Sequence, residues 1–326
     1  MLKIFINVFL ILIILLIVWF KIPYSPLKSK FQREMDAMTV NVSGRKEIIS
    51  GKKKSLTDEN CPGETLTDNT LTVKTHSGGT GINVAYTEEE FSHLPMALKQ
   101  YVKNCGYIGK PKISCFKLEY HDVDFMQSMD GPKLKIDYTQ YNFVETPCRM
   151  ALIESSMFGI PFEGCDYYQN GTGGMKGVLG KVFTLFDRRG EAMGQSGLVT
   201  FLAESLFAPD IFLQDYISFE EISDYEVKAV ITYKGQTASG IFHFNEQYEM
   251  TSFTTNDRAI TLSHGRMEYV SWSAVCGDYV TYENGIKYPG RLQAVWNYPD
   301  KDFVYFDGTI DAVGTDAVGT YLLSAE

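Results

Sequence analysis

Near the amino terminus, the run Ile4–Phe20 is apolar throughout except for Asn7. A segment that apolar on every side needs either a large protein core around it or a bilayer. As a helix it extends for about 26 Å, close to the hydrocarbon thickness of a membrane. Trp19 and Phe20 stand at one end, where aromatic rings favour the membrane–water interface. A cleavable signal needs small residues after the apolar stretch, and Trp19-Phe-Lys-Ile-Pro23 offers none. A lipid-modified signal needs a cysteine there, and the first cysteine is Cys61. The run therefore predicts an uncleaved single-pass anchor over residues 1–21. Lys21, Lys28, Lys30 and Arg33 follow the run, and only Lys3 and the amino terminus precede it. Charge counting puts the rest of the chain in the cytoplasm, whereas export behind an uncleaved signal gives the opposite side. The fold expected below favours the exported side.

From about Met35 to Ala85 the hydrophobic pattern disappears. Gly51-Lys-Lys-Lys54, Asn60-Cys-Pro-Gly63 and His76-Ser-Gly-Gly-Thr-Gly81 carry few large apolar side chains. Such a stretch cannot bury enough surface to offset its ordering entropy, so residues 22–86 read as a flexible juxtamembrane linker. The remainder, residues 87–326, reads as a β-rich domain. A net charge of −10 offers no general phosphate-binding surface and argues against a nucleic-acid partner. The six cysteines form no C-x-x-C pair, which removes metal-finger spacing and favours buried free thiols.

The domain opens on Thr87-Glu-Glu-Glu90, a capping box, followed by Phe91, Leu94, Leu98, Tyr101 and Val102 at helical spacing. Pro95 starts the second part of this helix or kinks it, and Gly106 stops it. Strands are expected at Lys112–Leu118, Leu134–Tyr138, Arg149–Phe158 and Val178–Phe186, with Asp187-Arg-Arg-Gly190 as a hairpin turn. Between them, Asp166-Tyr-Tyr-Gln-Asn-Gly-Thr-Gly-Gly-Met175 brings two tyrosines into four glycines, suiting positive φ or close backbone approach. An amphipathic helix is expected from Ser196 to Phe207, with Glu204 on its polar flank. Tyr225–Tyr233, Gly240–Phe244 and Glu249–Thr255, joined by Lys234-Gly235 and Asn245-Glu-Gln247, read as an antiparallel meander. Asp311-Ala-Val-Gly-Thr315 repeats directly as Asp316-Ala-Val-Gly-Thr320, a local duplication in a terminal strand or end.

Several pieces recur in an ordered set: Leu94-Pro95 with Tyr101, Gly106-Tyr-Ile-Gly-Lys-Pro111, Gln140-Tyr-Asn142 and Asp166-Tyr-x-x-x-Gly-x-Gly-x-Met175. Phe201-Leu-Ala-Glu204 with Ala208-Pro209, Glu220–Asp224, Phe244-Asn245, Asn256-Asp-Arg258, Trp272 and Trp296 complete it. In this the chain resembles the bacterial domain-of-unknown-function family DUF6544, related to DUF6920, across the folded part. The resemblance implies no activity and carries no catalytic residue. The Gly131-Pro-Lys-Leu134 segment and the end beyond Ile310 depart from the family pattern. At the level of pattern the domain is also similar to the lipoprotein-carrier half-barrels of the bacterial envelope. That analogy implies a curved antiparallel sheet with helices against its concave face.

No nucleophile elbow, phosphate loop or His-Glu-x-x-His is present, and no cofactor or metal site is expected. His243, inside Ile241-Phe-His-Phe244, points opposite to its phenylalanine neighbours and reads as a surface or satisfied residue. The best polar and aromatic set is Glu204, Asp257 and Arg258 with Tyr168 and Trp272. Two readings compete. In one, the chain is a membrane-tethered module that holds a lipid or other apolar ligand in the concavity, with Glu204 or Arg258 facing its polar group. In the other, Glu204 and Asp257 act as an acid/base pair of a hydrolase, which needs the carboxylates about 5–10 Å apart. A purely structural role in an envelope assembly is the third possibility and predicts a flat apolar patch.

Overall fold

The computed structural model describes residues 1–49, 85–157, 159–261, 266–315 and 319–322. Helix α1, Leu2–Lys21, contains the apolar run, and among the described residues it is the one helix long and apolar enough to cross a membrane. Helix α2 follows directly, Pro26–Ile49. This corrects the expectation of a flexible segment from residue 22: Phe31 and Met35 are buried against Cys115, Phe143, Cys148, Met150 and Leu152, and that contact orders the helix. Lys28 Nζ reaches both carboxylate oxygens of Glu154 at 2.7 and 2.9 Å, and Ser25 Oγ donates to Glu163. Residues 50–84 of the expected linker, with Lys52–Lys54, Cys61 and His76, lie outside the described residues, while at its end Ala85 bridges to Pro111 and Tyr86 is buried in the core.

Thr87 and Glu90 do bond, with the Thr87 N–H and hydroxyl donating to Glu90 Oε2 at 3.0 and 3.1 Å, but the segment after them is a series of turns. Helix α3, Met96–Asn104, begins only after Pro95, whose ring and missing N–H place it at a helix start. Gly106, at φ +80°, ends it as expected.

The strands then run β1 Cys115–Met126, β2 Lys133–Phe143, β3 Cys148–Met157, β4 Ile160–Gln169, β5 Thr172–Leu179 and β6 Phe183–Gly190. Helix α4, Glu191–Ala203, and two short 3-10 turns, Ser205–Phe207 and Pro209–Leu213, separate them from the second half. That half comprises β7 Ile217–Ser223, β8 Glu226–Tyr233, β9 Gln236–Phe244, β10 Met250–Thr255, β11 Ala259–Thr261, β12 Met267–Tyr269, β13 Trp272–Thr281, β14 Lys287–Asn297 and β15 Asp302–Thr309. All but the small β11–β12 pair join one antiparallel sheet, ordered β6-β5-β4-β3-β2-β1-β15-β14-β13-β10-β9-β8-β7. The carboxyl-terminal repeat forms β16 Ala312–Thr315, paired with β1, and β17 Gly319–Leu322, paired with β16. The fold is thus mainly β, a large curved antiparallel sheet with helices against its concave face.

The glycine-rich stretch is the β4–β5 hairpin. Asn170 and Gly171 both take positive φ, 53° and 78°, the two-residue turn whose twist matches paired strands. Lys234 and Gly235 do the same between β8 and β9. The two tips touch, since a Cβ on Gly171 would lie 2.6 Å from that of Lys234, so the two halves of the sheet curve towards each other. The expected turn at Asp187–Gly190 is instead the outer part of β6; the chain turns earlier, at Gly180 and Lys181, both at positive φ. Asp187, Arg188 and Arg189 are charges on a sheet edge, a common guard against edge-to-edge pairing.

Alternation sorts β2 into two faces. Ile136, Tyr138, Gln140 and Asn142 point into the concavity, while Tyr141 meets Phe31 of α2 on the other side, ring centroids 6.1 Å apart. Helix α4 starts five residues earlier than Ser196 and is not amphipathic: Leu198, Val199, Phe201, Leu202 and Ala203 are buried around its whole circumference. Much of the concavity is filled by aromatic rings of the chain itself, with Phe116, Phe207, Tyr288 and Tyr107 in successive contact at 5.5–5.9 Å. Burial pushes the Cys105, Cys148 and Cys165 thiols up to about 12, so they stay protonated.

Candidate functional site

Within α4 and its last turn, Ser196, Thr200 and Glu204 recur every four residues as a polar stripe. The stripe meets two arginines. At its end, Glu204 Oε2 accepts from Gln140 Nε2 at 2.7 Å, Asn142 Nδ2 at 3.0 Å and Arg149 Nε at 3.0 Å. Arg149 extends the network, donating from Nη1 to Asp166 Oδ2 at 2.8 Å and from Nη2 to Gln140 Oε1 at 3.1 Å and to the Tyr138 hydroxyl. These groups come from adjacent strands β2, β3 and β4, whose register puts Gln140 opposite Ala151 and Arg149 opposite Tyr168. The Arg149 side chain is only 4% exposed. Burial by itself would lower its pKa, but the charges of Glu204 and Asp166 and the Tyr138 hydroxyl outweigh it, so Arg149 remains a cation. Burial likewise raises the Tyr138 hydroxyl well above its ordinary value.

One and two turns back along the helix, Arg258 Nη1 donates to Thr200 Oγ1 and to the Ser196 carbonyl oxygen at 2.9 Å. The Ser196 hydroxyl, inside the helix rather than at its start, accepts from the Ala259 N–H at 3.2 Å. The guanidinium lies over the Trp272 ring at 4.5 Å and near Trp296 at 5.9 Å, a pair of cation–π contacts. Trp272 Nε1 donates to the Tyr305 hydroxyl at 3.1 Å, and Trp296 and Tyr305 stack at 5.8 Å. Trp272 and Trp296 face each other across β13 and β14, so the register alone builds this aromatic wall.

Among the described residues, four buried polar atoms around α4 lack a hydrogen-bond partner: Tyr168 Oη, Ser205 Oγ, Gln236 Oε1 and Arg258 Nε. Buried polar atoms are satisfied in the great majority of native structures. Tyr168 lies beneath the helix, where a Cβ on Gly197 would come 2.9 Å from its own Cβ. Burial pushes the Tyr168 hydroxyl up to about 12, so it stands as a neutral donor.

Of the residues expected from sequence, Arg258 and Trp272 come together directly, and Glu204 and Tyr168 share their helix. Asp257 does not join them. Its Oδ2 accepts from the Ser239 N–H and hydroxyl, both at 2.7 Å, capping the β9 ladder beyond the end of β10. Glu204 and Asp257 share no hydrogen-bond partner among the described residues. His243 bonds Glu226 and Thr254, as a satisfied residue does. The sequence-based set missed Arg149, Gln140, Asn142, Asp166 and Tyr138. The signal lay in Gln140-Tyr-Asn142, which places two amides on the same face as Ile136 and Tyr138.

A large curved antiparallel sheet, with a largely buried helix in its concavity and an arginine–carboxylate network beneath that helix, defines the class of this domain. Residues 84–308, more than half of the chain, match the family of unknown function DUF6544, and the chain belongs to that family. The motifs that carry the resemblance, Gln140-Tyr-Asn142, Asp166-Tyr and Phe201–Glu204, converge on the Arg149 network. No curated protein matches the chain. Among solved structures it is similar to a domain described as an outer membrane lipoprotein-sorting protein from Vibrio parahaemolyticus, with 10% identity and a TM-score of 0.39, covering 72% of this chain and 95% of that one. It is also similar to a DUF1329 family protein from Desulfovibrio piger, with 12% identity and a TM-score of 0.37, covering 68% of this chain and 93% of that one.

Proposed function

We propose that this is a single-pass membrane protein whose β domain binds an amphiphile, an apolar ligand such as a lipid with an acidic head, in the seam beneath α4. The observation that carries the reading is the group of unpartnered buried polar atoms around that helix, with Arg258 Nε set beside the Trp272 and Trp296 rings. A cation against aromatic walls suits an acidic head followed by an apolar body. The partly buried Phe125, Tyr305 and Phe306 rings continue the apolar lining next to it. The side chains filling the rest of the concavity restrict the ligand to this seam. The anchor half of the reading is supported by α1, whose side chains from Ile4 to Val18 are exposed and, Asn7 apart, apolar. The reading puts the domain on the extracytoplasmic side, which protease accessibility in intact cells tests.

Titration with short-chain phosphatidate below its micellar concentration, followed through tryptophan fluorescence, tests the binding half. The reading expects a saturable change and affinity about ten-fold or more weaker in Arg258→Gln, the cost of losing a charged hydrogen-bond donor. Equal affinity in the two proteins, with circular dichroism showing both folded, would rule it out.

A further inference from the structure

We propose that the β5–β6 hairpin is a second membrane contact, with its tip and the start of edge strand β6 immersed at the boundary between headgroups and acyl chains. This rests on the reading of α1 as a membrane span. The hairpin is fixed to the end of that helix. Trp19 Nε1 donates to the Gly180 carbonyl oxygen at 3.2 Å, and a Cβ on Gly180 would lie 3.4 Å from the Phe20 ring. Lys181 is 7% exposed, and its Nζ donates to the carbonyl oxygens of Trp19, at 3.1 Å, and of Ile22. It therefore adds a charged donor at the end of α1, where the Trp19 carbonyl also accepts from the Ile22 N–H at 3.3 Å. The same ammonium sits 5.8 Å from the Trp19 ring centroid.

Immediately beyond this clamp the chain exposes Val182 (57%), Phe183 (70%) and Leu185 (51%). Ile22 and Tyr24, just past α1, are exposed next to the same clamp. Adjacent exposed apolar side chains of this size mark an interaction surface. The occupant follows from position: Trp19 and Phe20 belong at the membrane interface, and hydrogen bonds hold the hairpin at their level. The hairpin tip thus lies beside the end of the apolar surface of α1. Two attachments, a span and a hairpin, fix the tilt of the sheet relative to the bilayer, where a span alone leaves it free to swing.

The test uses the full chain with Cys61→Ser and Cys165→Ser, the remaining native cysteines being buried, in nanodiscs of phosphatidylcholine and phosphatidylglycerol. Single cysteines replace Phe183, Leu185, Leu12 in α1 and Ile222 on the opposite sheet edge, and each carries a nitroxide. Collision with oxygen, which partitions into lipid, is compared with collision with a water-soluble nickel chelate. The inference expects an oxygen-to-nickel ratio at 183 and 185 several-fold above that at 222 and below that at 12. Ratios at 183 and 185 equal to that at 222, with 12 deep in lipid, overturn the hairpin contact and leave the anchor standing. Shielding of 183 from both reagents also overturns it, since a protein partner then covers the tip. A water-like ratio at 12 overturns the anchor reading and the hairpin contact together.

Discussion

Without the Arg149 guanidinium, Glu204 and Asp166 lose their shared cation inside the sheet, and the Tyr138 hydroxyl loses a donor. Removing one partner of a buried ion pair costs about 3–5 kcal/mol, whereas exposed pairs are nearly neutral. Arg149→Met is therefore expected to lower the unfolding free energy by roughly that amount in urea titrations, and Arg149→Met with Glu204→Gln to recover part of it. Lys228→Ala, which breaks an exposed pair with Glu220, leaves the midpoint unchanged. Acid sensitivity has its own residues. The Arg291 hydrogen bond holds the Asp307 carboxyl below its ordinary range. Burial would raise Glu249, but hydrogen bonds from Lys287 and Asn245 outweigh it and hold that carboxyl low as well. A carboxylate held low in the folded state contributes stability above its unfolded pKa and loses it as pH falls through the folded value. The urea midpoint should thus drop as pH falls below about 4, more steeply in the wild type than in Arg291→Gln or Lys287→Gln. At this scale Glu204 was legible in the sequence, but its partner Arg149 lies 55 residues earlier, and only the strand register brings them together.

Helix α4 can lie in the concavity because β5 presents glycine to it. A Cβ on Gly173 would come 2.4 Å from the Met193 carbonyl oxygen and 2.6 Å from Gly194 Cα, both backbone atoms that cannot step aside. Gly173→Ala is expected to cost about 1–3 kcal/mol by overpacking and to increase hydrogen exchange along α4. Gly277→Ala, where a Cβ meets nothing within 4 Å, serves as the control. Helix α2 is the other element whose packing sets the arrangement. Met35→Asp puts a charge where the side chain is fully buried, and hydrogen exchange should then show α2 freed from the sheet while the core strands stay protected. The β8–β9–β10 meander was legible because alternation and a Lys234-Gly235 turn are local signals. Helix α2 was not, since it docks through few residues, chiefly Phe31 and Met35, and the apolar surface they meet belongs to strands far along the chain. The expected amphipathic helix from Ser196 looked two-sided because Ser196, Thr200 and Glu204 are polar, yet arginines and strand amides bury that side too.

For the whole molecule, the sheet joins an edge packed against the end of α1 to a concavity that holds α4. In the proposed function α1 holds the domain at the bilayer, and the seam between α4 and the Trp272–Trp296 wall takes an amphiphile there. Length, the apolar run and strand alternation made the apolar helix α1 and the β class legible, while the seam depends on a tertiary meeting of Arg258 with α4 that no local pattern announces. The most direct measurement is native mass spectrometry of the full chain released from nanodiscs, with organic extraction of what stays bound, for the wild type and Arg258→Gln side by side. The account predicts a discrete acidic amphiphile retained by the wild type and lost from the variant. A wild-type protein that carries no such ligand, or one that both proteins retain equally, would contradict it.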